Sequence, residues 1–352
     1  MIKFSRRFKK ASYIYKEPKI NNPNSKEIIG QASIWFARKQ SYIGIWTLFL
    51  KIIPAGTYIY ILKKEAFMIG AIIGDLVGSV YEFNDFKQYD FPLVSKESRI
   101  TDDSCMTMAV AKGICDCNGD YSHLSKKTAS AMREIGRAFP NAGYGWRFYD
   151  WVMYSKDGEE EGYGSWGNGA GMRVSPVGFV AKTEQEVKEL SRKVTEITHN
   201  HPEGLKGAEA IAMCIFLAKS GKSKEEIRDY VKFNYYDKVF GGEFSINKLR
   251  PDYEHDESCQ NSVPHAIECF LESESFEDAI RKCIYLGGDC DTTGAMAGAI
   301  AEAYYGLPKG AWELAKLACP EKYFKYIEKL EVEYGVPGDA NSELKWKEGL
   351  EN

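Results

Sequence analysis

From Met68 onward, apolar residues recur mostly at intervals of three and four, the spacing that puts them on one face of an α-helix. Ser223 is followed three residues later by Glu226, as in a capping box, and Pro202 and Pro264 fit first-turn positions. The pattern therefore predicts helices joined by loops, over residues 69–83, 103–117, 122–138, 184–198, 203–219, 223–233, 262–272, 275–287, 292–305 and 309–330.

Strand signals are weak along the same stretch. No run of alternating β-branched residues is long enough to form the core of a sheet. The predicted fold class is therefore all-α. A length of 352 residues permits one large domain or two. We predict one main domain over residues 68–352, preceded by an appended extension of uncertain structure over residues 1–67.

The extension differs in character from the main domain. Residues 1–26 are basic and polar, and the apolar run Tyr42–Leu62 that follows is long enough to suggest a membrane span. Lys51 and Pro54 interrupt its centre, where a lysine costs about 3 kcal/mol on insertion. The small-residue cleavage site of a secretion signal is missing. We therefore expect an accessory segment packed on the main domain rather than a membrane anchor.

Composition narrows the class of protein. The chain is 44% hydrophobic and 27% charged, so it can build a substantial core. Its net charge of −4 argues against a general nucleic-acid binder. Nine cysteines occur without a CxxC pair, which is typical of a reducing compartment, and we predict a cytoplasmic protein.

Two acidic clusters, Thr101–Asp103 and Asp289–Thr292, each stand directly before a predicted helix. At a helix start consecutive oxygens can converge, so the two ends together would offer a hard oxygen site for Mg²⁺, Mn²⁺ or Ca²⁺ and not for Zn²⁺. Each cluster alone would be an ordinary N-cap. Paired carboxylates in both places repel each other unless a cation or a proton intervenes. The joint pattern therefore favours a metal site.

A glycine stripe precedes the first cluster. Gly70, Gly74, Gly78 and Glu82 repeat every four residues and share one face of the predicted helix, with Asp75 nearby. A glycine inside a helix costs up to about 1 kcal/mol against alanine, so the repeat needs a reason. Close helix packing supplies one, but it does not explain two acids on that face. Glu82 is therefore a candidate acid–base or metal-facing carboxylate.

Residues 162–173 form a glycine-rich loop whose backbone N–H groups could hold a phosphate or diphosphate. Glycine density alone is equally typical of a flexible loop, but Asn168 and Arg173 strengthen the case for a ligand. The segment Thr198–Pro202 joins two predicted helices, and its HxH pattern lacks a third transition-metal ligand. A histidine at such a joint can donate to a ligand oxygen. His255 lacks this context and is predicted to be a surface or capping residue.

Together these segments resemble the ADP-ribosylglycohydrolase family, which includes the dinitrogenase reductase-activating glycohydrolases. The family's motifs occur in order between about Met68 and Tyr334, as GAIIGDLVGSVYE, TDDSCMT, GSWGNGAGMRVSP, THNHPEGLKGA and GGDCDTTGAMAGAIAEAYYG. The resemblance implies an all-helical orthogonal bundle with a dinuclear centre of two Mg²⁺ or Mn²⁺. It also implies hydrolysis of the bond between ADP-ribose and an acceptor.

The resemblance further implies roles for individual residues. The catalytic residues would be Glu82, Asp102 and Asp103. The metal ligands would be Thr101, Asp102, Asp103, Asp289, Asp291 and Thr292. The substrate contacts would be Gly164, Ser165, Trp166, Gly167, Asn168 and His199. Trp166 stands where tyrosine is common, and Gly171 where alanine is common, so ring stacking and loop stiffness differ here although no ligand atom is lost.

The implied substrate is an ADP-ribosylated protein or small molecule, and a nucleic-acid substrate stays open. The acceptor is not identified among arginine, serine, a nucleic-acid base and O-acetyl-ADP-ribose. One alternative is a catalytically silent ADP-ribose-binding or structural protein on the same fold, against which the intact set of acids argues. The other is a two-metal phosphohydrolase, which only the resemblance disfavours.

Overall fold

The chain is seen in a computed structural model that describes residues 66–83, 86–158 and 161–350. The basic head and the apolar run Tyr42–Leu62 lie outside these residues, so the predictions for the extension stay predictions. The helices are α1 Gly70–Gly78, α2 Asp102–Cys117, α3 Leu124–Ala138, α4 Trp146–Tyr154, α5 Gly169–Met172, α6 Ser175–Val180, α7 Glu184–Thr195, α8 Pro202–Lys219, α9 Lys224–Asn234, α10 Asp237–Phe240, α11 Ile246–Leu249, α12 Cys259–Leu271, α13 Phe276–Leu286, α14 Cys290–Tyr305, α15 Ala311–Ala318 and α16 Glu321–Tyr334.

The predicted all-α class is confirmed. Strands in the described residues are limited to two short pairs, with β1 Ala66–Phe67 antiparallel to β3 Val336–Pro337 and β2 Pro308–Lys309 parallel to β4 Asp339–Glu343. Within the same residues, no helix combines the length and apolar character needed to cross a membrane. The strand β1 begins at Ala66, two residues before the predicted start of the main domain.

Several predicted boundaries are wrong for identifiable reasons. The helix predicted over 309–330 is two helices, α15 and α16, because the chain turns extended at Cys319 and Pro320, and proline cannot donate a helical hydrogen bond. Pro264 lies inside α12 rather than in its first turn, since that helix begins at Cys259. The short helices α4 and α6 were not predicted, because neither carries a clear apolar periodicity over its few residues.

The helix predicted over 69–83 ends early, at Gly78. The backbone N–H of Tyr81 donates to the Gly78 carbonyl at 2.7 Å, which closes a turn in place of a further helical turn. Glu82 therefore lies beyond the helix, in a turn, and does not share the helix face of the glycine stripe.

The buried helix α14 forms the centre of the bundle. All of its residues from Cys290 to Ala303 are buried, and it packs against α1, α8, α12 and α13. Its contact with α1 is backbone to backbone, because glycines face each other along both helices. A Cβ atom at Gly70 would lie 2.8 Å from the carbonyl carbon of Gly298, and one at Gly74 would lie 2.7 Å from the backbone nitrogen of Ala295. This close approach brings Asp75 of α1 near Asp291 in the first turn of α14.

Candidate metal centre and active-site cavity

The first turns of α2 and α14 meet in the structure. Thr101 is the N-cap of α2, and its Oγ1 accepts a hydrogen bond from the backbone N–H of Asp103 at 3.3 Å. Asp289 holds the equivalent position before α14. The Thr292 hydroxyl donates to Asp103 Oδ2 at 3.3 Å and so joins the two helix ends directly. The two acidic clusters that are far apart in the sequence therefore share one site.

Five carboxylates form two overlapping groups at this site. In the first, one oxygen from each of Asp75, Asp103 and Asp291 lies within 4.8 Å of the others. In the second, the same holds for Glu82, Asp289 and Asp291. Asp291 belongs to both groups, so the arrangement offers two adjacent positions for a cation, each surrounded by carboxylate oxygen.

The raised pKa values and an unpartnered oxygen among these carboxylates favour binding of a cation. Burial, followed by repulsion from neighbouring carboxylates, raises the pKa of Asp103 and of Asp291 well above the ordinary value. Asp103 Oδ1 is buried and has no hydrogen-bond partner among the described residues. A buried carboxylate oxygen without a partner is costly, and a bound cation would satisfy it. The site can therefore hold metal ions of the oxygen-preferring class.

Asp75 is the acid whose position the sequence did not reveal. Its carboxylate is fully buried and accepts hydrogen bonds from the backbone N–H of Thr101 at 2.9 Å and of Ser104 at 3.1 Å, and from both hydroxyls. These donors are the free N–H groups of the first turn of α2 and the side chains beside them. Asp75 thus fixes the start of α2 from another helix, and it leaves Asp103 facing the cavity.

Glu82 is the half-buried member of the second group of carboxylates. Burial raises its pKa to about 7, with a further contribution from the Asp289 charge, while a hydrogen bond with Asp291 acts in the opposite direction. A carboxyl group with a pKa near 7 can exchange a proton with a substrate at neutral pH. The turn after α1, rather than a helix face, gives Glu82 this position.

The side chain of Asp102 lies beside Gly143, whereas that of its neighbour Asp103 lies in the first group of carboxylates. The Asp102 backbone N–H donates to the Ala142 carbonyl at 3.0 Å. Burial and the charge of Asp75 raise its pKa to about 8. Asp102 lines the cavity but belongs to neither group of three carboxylates.

The glycine-rich loop packs against the second acidic cluster. The Asn168 side-chain amide donates to Asp289 Oδ2 at 2.6 Å, and the Asn168 backbone N–H donates to the Glu257 carbonyl at 2.7 Å. Asn168 therefore orients a proposed metal ligand. Gly164 is held further out, where its N–H donates to Asn200 Oδ1 at 2.6 Å.

His199 is buried beside this loop. Its Nδ1 lies 2.8 Å from the Thr198 hydroxyl and 3.2 Å from a guanidinium nitrogen of Arg173. Burial, followed by the charges of Arg173 and Arg147, holds the pKa of His199 well below its ordinary value, so the ring is neutral at physiological pH. His201, the second histidine of the HxH pattern, instead caps α8 and accepts a hydrogen bond from the Glu203 N–H.

A cavity of about 910 Å³ lies beside the two acidic clusters, the glycine-rich loop and His199. Its size lies within the range of pockets that enclose a drug-sized ligand. Of the residues proposed from the sequence, Thr101 and Gly164 do not line it, and the others do: Glu82, Asp102, Asp103, Ser165, Trp166, Gly167, Asn168, His199, Asp289, Asp291 and Thr292.

Other lining residues were not proposed from the sequence. They include the aromatic side chains of Trp146, Phe148 and Tyr163, and also His255. His255 was predicted to be a surface or capping residue; it is exposed, but its ring stacks on Phe83 with centroids 5.8 Å apart at the cavity mouth. Tyr163 belongs to the glycine-rich loop, whereas Trp146, Phe148 and His255 lie outside every motif and reach the cavity through tertiary packing.

Comparisons with known proteins identify the family and the fold of the chain. A family model described as ADP-ribosylglycohydrolase matches residues 63–334. ADP-ribosylhydrolase ARH3 of Mus musculus is 26% identical over 310 residues, covering 68% of this chain and 83% of that protein. ADP-ribosyl-[dinitrogen reductase] glycohydrolase of Rhodospirillum rubrum is 25% identical over 280 residues, covering 71% of this chain and 88% of that protein. A solved structure described as an ADP-ribosylglycohydrolase-related protein complex shares the fold with a TM-score of 0.55 at 22% identity, covering 75% of this chain and 92% of its own.

Proposed function

We propose that this chain, which belongs to the ADP-ribosylglycohydrolase family, hydrolyses the glycosidic bond between ADP-ribose and an acceptor in a reaction that depends on two divalent cations. The observation that carries the proposal is the pair of carboxylate groups that share Asp291 and open onto one large cavity. A structural or purely ligand-binding protein has no need to bury so many acids against each other, because their repulsion costs stability.

The cation ligands in this proposal are the six residues named from the resemblance. Asp75, which belongs to the first group of carboxylates, also orients Thr101 and Ser104. Mg²⁺ or Mn²⁺ bound there would supply Lewis-acid stabilisation to ribose oxygens and to a water molecule. The unpartnered Asp103 Oδ1 and the raised pKa of Asp291 support this assignment.

Glu82 is the proposed proton carrier. Water attacks the anomeric carbon, the carbon–acceptor bond breaks, and the positive charge that develops on the sugar makes the reaction resemble other glycoside hydrolyses. Glu82 can take the proton that the attacking water releases and return it to the departing acceptor, so no second carboxylic acid is needed. Burial, the main cause of its raised pKa, favours a carboxyl group that can both hold and release a proton near neutral pH.

The glycine-rich loop and His199 are proposed to bind the diphosphate side of ADP-ribose. The loop is anchored to the site through Asn168 and Asp289, and Trp166 at the cavity rim is half-exposed and free to meet a ring of the ligand. The aromatic side chains of Trp146 and Tyr163 extend the same wall.

The test is turnover of defined substrates. ADP-ribosyl-arginine, ADP-ribosyl-serine peptides and ADP-ribosylated DNA would each be incubated with the protein in Mg²⁺ and in EDTA. Release of ADP-ribose from at least one of them in Mg²⁺ and not in EDTA is expected. A Glu82→Gln protein should bind ADP-ribose as the wild type does but lose at least about 100-fold in kcat. Full activity in EDTA, or an unchanged kcat for Glu82→Gln, would contradict the proposed mechanism.

A further inference from the structure

Arg173 carries a charge that the proposed mechanism does not use. Its side chain is 1% exposed, and no carboxylate lies within ion-pair distance of it among the described residues. Burial lowers its pKa to about 10, which still leaves the guanidinium positively charged at neutral pH. Its Nε has no hydrogen-bond partner in the described part of the chain. A buried cation with so few partners is costly, so its position requires a reason.

The contacts of Arg173 converge on one edge of the His199 ring. A single guanidinium nitrogen donates to the Thr198 hydroxyl at 2.7 Å and lies 3.2 Å from His199 Nδ1. The rest of the guanidinium lies over the Phe148 ring, 5.3 Å from its centroid, which fixes the plane of the group. Arg173 therefore acts on His199 both directly and through Thr198.

The direction of these hydrogen bonds follows from the chemistry of the donor. A guanidinium has only N–H donors and cannot accept a hydrogen bond. A proton on His199 Nδ1 would face an N–H of Arg173, so Nδ1 must present its lone pair. The Thr198 hydroxyl already accepts from Arg173, which leaves its own proton free to point at Nδ1, 2.8 Å away. The contact with Arg173 requires an unprotonated Nδ1, and the Thr198 hydroxyl can then donate to the same nitrogen.

The other ring nitrogen faces the glycine-rich loop. A Cβ atom at Gly169 would lie 3.3 Å from His199 Nε2, and one at Gly167 would lie 3.6 Å from it. The hydrogen bonds that the His199 ring makes with described residues both involve Nδ1. With Nδ1 unprotonated and the ring neutral, the proton is on Nε2, and this N–H is available to an anion held in the cavity.

We propose that Arg173 is a positioning residue: through Nδ1 and Thr198 it holds His199 in the tautomer whose Nε2–H donates to a phosphoryl oxygen of the ligand at the glycine-rich loop. A neutral histidine without this constraint distributes its proton between both nitrogens, and the ligand then has to select one form. The tautomer itself is independent of the proposed function, whereas the identity of the phosphoryl ligand as ADP-ribose rests on it.

The first measurement is the ¹⁵N NMR spectrum of the histidine-labelled, full-length protein without ligand, with the His199 signals assigned by a His199→Gln variant. An unprotonated Nδ1 and a protonated Nε2 are expected. Protonation of Nδ1 in the wild-type protein would overturn the proposal without reference to any activity.

The second measurement compares variants. Arg173→Met keeps an apolar stem beside Phe148 but removes every donor, so the His199 nitrogens should shift towards a mixture of tautomers. ADP-ribose binding, measured by calorimetry, should weaken by about twofold for an even mixture, because only the form with the proton on Nε2 can donate to the ligand. Arg173→Lys, which keeps a charged donor, should recover part of both effects.

The matched control is Arg133→Met. Arg133 is also buried, at 2% exposure, and lies over an aromatic ring, that of Trp151, but its hydrogen bonds go to Ser155 and Asp157. The Arg133→Met variant should change neither the His199 spectrum nor the ADP-ribose affinity.

If Arg173→Met does not fold, Thr198→Val tests the same hydrogen-bonded contact with His199, with the same expected shift towards mixed tautomers. An unchanged His199 spectrum in a folded Arg173→Met or Thr198→Val protein would refute the proposal. If the wild-type protein does not bind ADP-ribose, the proposed function fails, while the tautomer is still decided by the spectra.

Discussion

The glycine contact between α1 and α14 predicts a measurable effect of a single methyl group. In Gly74→Ala, the new Cβ would lie 2.7 Å from the backbone nitrogen of Ala295, and the carbonyl of Gly294 would be closer still. Ordinary contact begins at 3.4 Å, so the two helices must separate by at least 0.7 Å. Neither obstructing group is a side chain that can rotate away.

Two energies of opposite sign decide the outcome. Overpacking of this kind costs about 1–3 kcal/mol, and replacing a helical glycine with alanine returns up to about 1 kcal/mol. We therefore expect a net loss of roughly 1–2 kcal/mol, equivalent to a fall in Tm of roughly 2–8 °C for a domain of this size. The stabilisation by Mg²⁺ should fall as well, because α1 carries Asp75 and α14 carries Asp291.

The assay is thermal unfolding of wild-type, Gly74→Ala and Gly242→Ala proteins, each in EDTA and in Mg²⁺. Gly242 lies in a loop where an added Cβ would meet nothing within 4 Å, so its substitution should leave stability within about 0.5 kcal/mol of the wild type. A Gly74→Ala protein with the Tm and the Mg²⁺ response of the wild type would show that the helices are not in backbone contact at this point.

Three further predictions concern single groups and the domain boundary. Asp289→Asn should abolish both turnover and the rise in Tm caused by Mg²⁺, because it removes charge from the proposed cation site. The control Asp229→Asn, on the exposed side of α9, should change neither. If Asp289→Asn retained both turnover and the Mg²⁺ response, metal binding at Asp289 would be contradicted. Burial raises the pKa of Glu302 to about 8, so the folded protein retains a proton that the unfolded chain releases near 4.5, and the free energy of unfolding should fall as pH rises between these values. Urea unfolding at pH 5 and pH 8 should show a smaller fall for Glu302→Gln, and an equal fall would assign the pH dependence to other groups. A protein that starts at Ala66, which retains β1, should keep the kcat of the full chain; a folded, metal-binding truncation without turnover would show that residues 1–65 complete the active site.

Most helices could be predicted because their apolar periodicity is local. The helix α8 shows this well, since the sequence places its start beside Pro202 and its end near Lys219, as the structure does. The aromatic helix α4 could not be found in the same way. Its apolar side chains occur almost all round, with Trp146 and Tyr154 exposed and Trp151 buried, so no single face stands out in the sequence.

The sequence allowed us to predict which acids stand at the two helix starts, but not how the side chains of different helices contact one another. Local sequence identified the acids at the two helix starts, because an N-cap and its neighbours are a short-range pattern. The same local pattern wrongly predicted that the helix with the glycine stripe continues through Glu82. The repeat every four residues runs on past Gly78, and nothing in it indicates the turn that follows. The donors to Asp75 come from Thr101 and Ser104 on another helix, and such partners depend on how α1 and α2 pack.

The energetics of the helix ends favour a bound cation at the proposed site. A helix N-terminus favours a nearby carboxylate by about 0.3–1 kcal/mol, or about 2 kcal/mol in a partly buried position. Removing a carboxylate from water costs several kcal/mol even after the protein relaxes. Two helix ends therefore cannot hold Asp75, Asp103, Asp289 and Asp291 as a set of ions, and the raised pKa values of Asp75, Asp103 and Asp291 express this deficit. In a metal-free protein, protonation of some of these carboxylates can relieve their mutual repulsion. Each bound proton, however, neutralises a carboxylate that would otherwise bind a cation. If Mg²⁺ or Mn²⁺ binds at the proposed site, we expect protons to be released on binding and cation affinity to rise with pH until these carboxylates are ionised.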